Sequence, residues 1–249
     1  MSINRFKVVV PSYNSVEWLE KCLDSLESQD FSDFDACVVD DASTDSGQKE
    51  IILKYCEKNS WTYVFHEKNL GVLPSIIDGI KKLDPKDEDV ILLLDGDDWL
   101  YDEEVLEKLY EIYSDEDKDI YLTYGREIHF PSAKILPNRE LPSYVVENNM
   151  FREYPWCISA PRTFKYVLWR NIKDEDLRDS SGDYYNMSND VAFMLPMLEM
   201  AGDRIKMMED ILYVYNWENP LSHHHLDLEE QKAVEVSLRK QRKYGKLES

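Results

Sequence analysis

The amino-acid sequence predicts an α/β protein built on a mostly parallel sheet with helices on both faces. Three observations lead there. Short β-branched and aliphatic runs alternate with amphipathic stretches of helical period through the first half of the chain. The junctions between them carry turn and capping residues: Asn, Asp, Ser, Gly and Pro. Three of the apolar runs end in polar clusters, Pro11-Ser12-Tyr13-Asn14, Asp40-Asp41-Ala42-Ser43 and Asp95-Gly96-Asp97-Asp98. In open sheets of this kind ligands bind beyond the carboxyl ends of the strands, so the three clusters are expected on one edge.

The elements follow in order. FKVVVP (6–11) is a β-branched run stopped by Pro11, a buried strand. Asn14 and Glu17 have the spacing of a capping box, and Val16, Leu19, Leu23 and Leu26 then mark one face of a helix. FDACVVDD (34–41) is a second strand. ASTDSGQ turns the chain, and Asp45 with Gln48 is expected to cap a helix running to about Lys58. TYVFHE (62–67) is a third strand, and Pro74 suits the first turn of a helix ending near Leu83. PKDED (85–89) is a charged loop before the fourth strand, DVILLL. A helix over 102–114 places Val105, Leu109, Ile112 and Tyr113 on its apolar side, and IYLTYG (120–125) is a fifth strand. The second half is less regular. Residues 126–160 are rich in Pro and Asn with weak strand signals. VAFMLPMLEMAG after Asp190 reads as a helix interrupted or started near Pro196, and DILYVYNW as a further strand. Residues 227–244 form an amphipathic helix whose basic end (Arg239, Lys240, Arg242, Lys243) complements the helix dipole. With no repeat, linker or sharp boundary, the 249 residues are expected to form one domain with halves 1–125 and 126–226 and a C-terminal helix over 227–249.

Composition narrows the function. Asp and Glu number 50 against 29 Lys and Arg, a formal net charge of −21. That disfavours a nucleic-acid surface, which releases counterions through a basic patch, and a broad contact with anionic lipid. No stretch approaches the roughly 18 apolar residues of a membrane span. The N-terminus lacks a signal-peptide layout, and the four cysteines (Cys22, Cys37, Cys56, Cys157) show no CxxC spacing. Free thiols in a reducing cytoplasm are the expectation. Oligomeric state is left open.

DVILLLDGDDWL (89–100) poses the chemical question. Three carboxylates within four residues at a strand end repel one another unless something neutralises them. A hard divalent cation does so while leaving coordination positions for water and phosphate. In extended backbone Asp95 and Asp97 face the same way, and Gly96 permits close approach to the backbone. The glycine is misplaced for an EF-hand. Pro-Ser-Tyr after the first strand excludes a haloacid-dehalogenase nucleophile and the glycine-rich basic loop of a sugar-1-phosphate nucleotidyltransferase. GxxxxGK[ST] and GxGxxG are both absent.

The ordered combination VVVPSYNSVEWLEKCLDSLESQDFSDFDACVVDDASTDSG, NLGV and LLLDGDDWL, over roughly residues 5–100, resembles the family 2 glycosyltransferases with a GT-A fold. The resemblance implies a nucleotide-sugar donor, with UDP favoured, a Mn²⁺ or Mg²⁺ ion on the D-x-D motif, and transfer with inversion to a glycan, lipid-linked or protein acceptor. It implies roles for particular residues. Pro11, Tyr13 and Asn14 match the first nucleotide-binding strand end, with Tyr13 packing on the base. Asp41, beside Asp40, matches the carboxylate that reads the base. Asp95 would bond the ribose or a metal-bound water, and Asp97 would ligate the metal.

Inversion requires a general base on the acceptor side. Asp190, opening the helix of SNDVAFMLPMLEMAG, is that candidate, with Asp183 in reserve. Asn189 stands where many members carry a second carboxylate. SHHH (222–225) offers a late histidine to the metal or diphosphate, His223 or His224 first. Arg162 and Lys165 are scarce positive charges expected at the diphosphate or acceptor, and Trp156 is a candidate for stacking on a sugar. The helix after Asn69-Leu70-Gly71 has no Arg where many relatives carry one, so Lys68 or Arg162 is expected to compensate.

Overall fold

The computed structural model describes residues 5–136, 139–220 and 228–248. Its strands and helices run β1 (Phe6–Ser12), α1 (Val16–Glu27), β2 (Phe34–Asp40), α2 (Gln48–Asn59), β3 (Thr62–Phe65), α3 (Val72–Leu83), β4 (Val90–Leu93), β5 (Trp99–Leu100), α4 (Val105–Tyr113) and β6 (Leu122–Phe130). The second half adds β7 (Lys134–Ile135), α5 (Ser143–Glu147), β8 (Arg162–Lys165), α6 (Tyr166–Arg170), α7 (Asn189–Ala201), β9 (Ile205–Asn216) and α8 (Leu228–Arg239).

One sheet runs through both halves in the order β3-β2-β1-β4-β8-β6-β9-β5, with β7 paired to β6. β1 lies parallel to β2 and to β4, β2 parallel to β3, and β6 parallel to β9. β8 runs antiparallel between β4 and β6, and β5 antiparallel on β9. The central strands are buried on both faces, which explains their unbroken apolar runs. Alternate residues feed two cores. Val8, Val10, Val38 and Leu92 pack with Leu19, Leu23 and Ile52 of α1 and α2 and with Leu106 and Leu109 of α4. Val9, Val39, Ile91 and Leu93 pack with Leu73, Ile76 and Ile80 of α3 and with α7.

The mostly parallel sheet with helices on both faces is as the sequence predicts. Three details differ. β8, from Arg162-Thr163-Phe164-Lys165, is a strand the sequence did not predict, and it inserts between β4 and β6. Neither predicted capping box forms. α1 is capped by Ser15 without a side-chain cap bond, and α2 starts after Gly47. The capping side chains are taken by longer-range partners. Asn14 Oδ1 accepts from the Thr44 amide at 2.8 Å, and Gln48 reaches back to β1 and β2.

α7 carries Pro196 within it and is buried from Val191 to Ala201, so it is apolar all round rather than amphipathic. Its one interior acid, Glu199, receives both arms of Arg152 (2.6 and 2.9 Å) and the Tyr244 amide (2.9 Å). The predicted helix over 227–244 ends at Arg239, leaving Lys240, Arg242 and Lys243 beyond α8. Arg239 is used for packing: its Nη1 donates to the carbonyls of Arg152 and Tyr154, both at 2.8 Å. The C-terminal segment thus fixes α7 and the 151–154 turn against each other. Among the described residues, no helix is long and apolar enough to cross a membrane. All four cysteines are free thiols, three of them buried.

Candidate active site

The ends of β1, β2 and β4 do meet. They border a cavity of about 300 Å³ whose lining includes Pro11, Tyr13, Asp41, Asp95, Gly96 and Asp97 on one side and Asn189, Asp190, Arg162 and Tyr215 on the other. Backbone bonds join two of the clusters to β1: Asp41 N donates to Ser12 O, and Gly96 N to Pro11 O, both at 2.9 Å. A second cavity, of about 470 Å³, lies behind Tyr154, Trp156 and Ile158. The two share Asp95, Arg162, Ser188, Asp190 and Tyr215. Two compartments therefore open onto one carboxylate–guanidinium cluster.

Each motif residue has a definite place. Tyr13 is 39% exposed at the rim, a free aromatic face for a planar ligand. Asp41 is buried, and its carboxylate accepts the Leu70 and Gly71 amides at 2.8 and 2.7 Å and meets His66 Nδ1 at 2.7 Å. It holds the Asn69-Leu70-Gly71 turn while facing the first cavity, with one of about four carboxylate acceptor positions left for a ligand. Asp40 points elsewhere: its Oδ1 accepts from Gln48 Nε2 (3.0 Å) and Ser43 N (3.3 Å). Gln48, fully buried, also donates to Ser12 Oγ and accepts from the Ser15 amide, both at 2.8 Å. Asp40 and Asn14 thus brace the two strand ends and line neither cavity.

Besides Asp40 and Asn14, four more of the sequence candidates fall away from the cluster or outside the described residues. Lys165 is a correction. It sits three residues from Arg162, beside Val90 at the start of β4, and its ammonium bonds Glu88 (2.8 Å) and Asp119 (3.4 Å). Three residues along a strand reverse the face and carry the side chain about 10 Å away. Asp183 lies on an exposed turn, its amide on Asp179 Oδ1, and lines neither cavity. His223 and His224 lie outside the described residues.

The acidic loop is held from β9. Tyr213 Oη accepts the Asp95 amide (3.1 Å), Asp98 Oδ1 accepts the Asn216 amide (2.7 Å), and Asn219 Nδ2 donates to Asp97 Oδ2 (2.7 Å). Burial, then repulsion from Asp97, pushes the Asp95 carboxyl up to about 7, with Arg162 opposing. Burial, then the charges of Asp97 and Asp95, also holds the Asp98 carboxyl well above the ordinary carboxylate range. Asp98 anchors the loop through the Asn216 amide and borders both cavities beside Asp95, while Asp97 lines the first. The hard oxygen donors and mutual repulsion of Asp95 and Asp97 fit a divalent cation held by one or two protein carboxylates, with water and phosphate completing its shell. Among the described residues, no group of three or more His, Cys, Asp or Glu comes together as a fuller metal cluster.

Gly96 is demanded by packing. A Cβ there would stand 2.8 Å from Ser12 Cβ and 3.1 Å from the Pro11 carbonyl, neither of which can move without displacing β1. Gly96→Ala is expected to cost about 1–3 kcal/mol in chemical denaturation and to displace the loop that carries Asp95 and Asp97.

Arg162 is the positive centre of the cluster. Its Nη2 lies 3.0 Å from Asp190 Oδ2. Burial works against its charge, but Asp190, Glu127 and Asp95 together hold its pKa above the ordinary arginine value. Asp190 opens α7, is 27% exposed, and accepts the Val191 amide on Oδ1 at 2.9 Å. The sequence reading missed Tyr213, Asn216 and Asn219, which hold the acidic loop across about 120 residues, and His66, which backs Asp41. Only the period-two aromatics of Tyr213 and Tyr215 were a signal.

Comparison with known proteins agrees with this arrangement. Residues 7–167 match the sequence profile of Glycosyl transferase family 2. An uncharacterized glycosyltransferase of Bacillus subtilis, EpsJ, is 25% identical over 228 residues, covering 86% of this chain and 61% of its own. The crystal structure of Staphylococcus aureus TarS (residues 1–349) in complex with UDP-GlcNAc superposes with a TM-score of 0.66 at 20% identity, over 92% of this chain and 64% of that one. A mannosyltransferase of Pyrobaculum calidifontis in complex with GDP-Man and Mn²⁺ gives a TM-score of 0.63 at 16% identity, over 96% and 64%. The chain spans less than two thirds of the length of each of these relatives. The fold is the GT-A fold of nucleotide-sugar glycosyltransferases, and the profile match covers well over half of the sequence. The chain belongs to glycosyl transferase family 2.

Proposed function

We propose that the protein transfers a sugar from a UDP-sugar to an acceptor hydroxyl with inversion, in a metal-dependent reaction with Asp190 as general base. The observation that carries this reading is the meeting of two cavities at Asp95, Arg162 and Asp190. A donor seated on the motif side and an acceptor behind Trp156 would bring their reacting atoms together there. The unbroken sheet supports treating residues 1–249 as one working domain.

On the donor side, Tyr13 packs on the base and the remaining acceptor position of Asp41 takes a ring N–H. Asp97 and Asp95 would hold Mn²⁺ or Mg²⁺, which when bound supplies Lewis-acid stabilisation of the departing diphosphate. Arg162 adds a fixed positive charge on the same side, preorganised by its carboxylate partners. That assignment explains how a chain of net charge −21 would accommodate a diphosphate. On the acceptor side, Asp190 takes the hydroxyl proton as the oxygen attacks the anomeric carbon, oriented by Arg162 and by the start of a rigid, buried helix.

Thermal unfolding with UDP, GDP, CDP and dTDP, each with Mn²⁺, Mg²⁺ or EDTA, tests the donor half. UDP with a divalent ion at about 100 times its Kd is expected to raise the midpoint by roughly 5–10 °C, and UDP with EDTA by far less. Stabilisation by none of the nucleotides would remove the donor assignment. Equal stabilisation with EDTA would remove the metal.

A further inference from the structure

We propose that the acceptor is a carbohydrate, bound as two consecutive pyranose rings: one in the cavity behind Trp156 and the next on Trp217. This rests on the transferase reading above and names its acceptor class.

The cavity beside Asp190 combines three aromatic walls, Tyr154, Trp156 and Tyr215, with the hydrogen-bonding side chains Glu127, Gln231 and Glu235. A pyranose has the same division: C–H bonds on its faces and hydroxyls around its rim. Aromatic faces carry a negative quadrupole that meets C–H groups favourably, while carboxylates and amides take hydroxyls. An acyl chain would match the aromatic walls but add no hydrogen bond to the polar rim it covers. There Glu127 holds only His129 and the Ala160 amide, and Asp190 only Arg162 and the Val191 amide. The chain would bury that rim at a cost that hydroxyls would offset. The −21 net charge likewise disfavours a phosphate-headed lipid.

A stripe of rings leads outward from that cavity. Tyr213, Tyr215 and Trp217 recur every second residue, so they share one face of β9 and its continuation, which the Trp217 N–Phe130 O bond (2.9 Å) extends. Exposure rises along the stripe. Tyr213 is buried under Asp95, Tyr215 borders both cavities, and Trp217 is 38% exposed. The outer ring is braced although it is exposed. His129 of β6 packs on Tyr215 at 5.5 Å and on Trp217 at 5.1 Å between centroids, and Tyr215 meets Trp217 at 6.0 Å. His129 is itself pinned by Glu127, Nε2 to Oε1 at 3.1 Å. Glu127 thus ties the cavity lining to the outer platform. Two residues of strand span about 7 Å, a step comparable to that between neighbouring rings of an oligosaccharide. A braced, exposed tryptophan continuing the wall of the acceptor cavity is the feature a second sugar ring would use.

The test is titration of ¹⁵N-labelled full-length protein, observed through its six tryptophan indole N–H signals. The probes are the methyl β-glycosides of glucose, galactose and N-acetylglucosamine, the corresponding β-linked disaccharides, and dodecyl phosphate. At least one disaccharide is expected to shift the Trp156 and Trp217 signals saturably, with Kd about five-fold or more below that of its monosaccharide, consistent with one added stacked ring. Trp217→Ala should erase that advantage while the other indole signals, which report the fold, keep their positions. Trp217→Phe should restore much of it. Absence of glycoside binding, equal binding of mono- and disaccharides, an advantage that survives Trp217→Ala, or binding of dodecyl phosphate alone would each overturn the proposal. UDP with Mn²⁺ is titrated into the same wild-type sample. If glycosides fail and UDP binds, this inference falls alone; if UDP fails too, the transferase reading falls with it.

Discussion

Asp190→Asn is expected to lower turnover by about 10²–10⁴ while leaving UDP affinity nearly unchanged. The amide keeps the size of the side chain and can still accept the Val191 amide, so the start of α7 should hold. What it loses is the capacity to take a proton from an attacking hydroxyl. Because that proton moves only as the bond forms, kcat and kcat/KM should fall together and the acceptor KM should change little. The position makes the effect specific. Asp190 borders both cavities and pairs with Arg162 at 3.0 Å, whereas Asp183 faces solvent on a turn. A variant with full activity would place the base elsewhere. One that lost UDP binding as well would make Asp190 a support for Arg162 rather than a base. Steady-state kinetics with UDP binding measured in parallel separates the three outcomes.

The first half of the fold was legible because its signals are local. FKVVVP, FDACVVDD and DVILLL are buried strands whose apolar runs need no partner to be recognised, and their polar ends converge because parallel strands in one sheet end on one edge. The second half was less legible because its signals are long-range. Arg162-Thr163-Phe164-Lys165 has no strand pattern of its own; it becomes β8 because β4 and β6 offer it ladders on both sides. The failed capping boxes share that cause. Gln48 is three residues from Asp45, as a box requires, yet its amide serves Ser12, Ser15 and Asp40 across the sheet, where burial makes each bond matter more than a cap in water.

Lys165 was misread for the opposite reason. Its closeness to Arg162 in sequence suggested a shared role, although three residues of extended chain point the two side chains apart. The DGDD motif gave away its carboxylates but not its anchors, because Asn216 and Asn219 are ordinary polar residues until β9 brings them beside Asp98 and Asp97.

Asp97→Ala should produce two effects of opposite sign in one protein. Turnover should fall by about 10²–10³ and the metal-dependent thermal shift with UDP should vanish, since a carboxylate facing the cavity is lost from the donor set. The ligand-free protein should become more stable at pH 8, by roughly 1–2 kcal/mol, since Asp97 is the leading charge that, after burial, lifts the Asp95 carboxyl to about 7. A carboxyl raised on folding binds more protons in the folded state than in the unfolded one between about pH 4 and 7. Wild-type stability without metal should therefore decline as pH rises through that window, and the decline should be shallower in Asp97→Ala. Mn²⁺ should stabilise the wild type more at pH 8 than at pH 6, because the ion competes with the shared protons for the same oxygens. Urea denaturation at pH 5, 6, 7 and 8, with and without Mn²⁺, reads all of this. If Asp97→Ala destabilises the ligand-free protein at pH 8, the carboxylates are not held against their repulsion there, and the loop's acidity needs a structural explanation such as the Asn219 contact. If it stabilises that protein and abolishes the UDP shift, the strain that burial and repulsion store at Asp95 is what a bound cation would relieve.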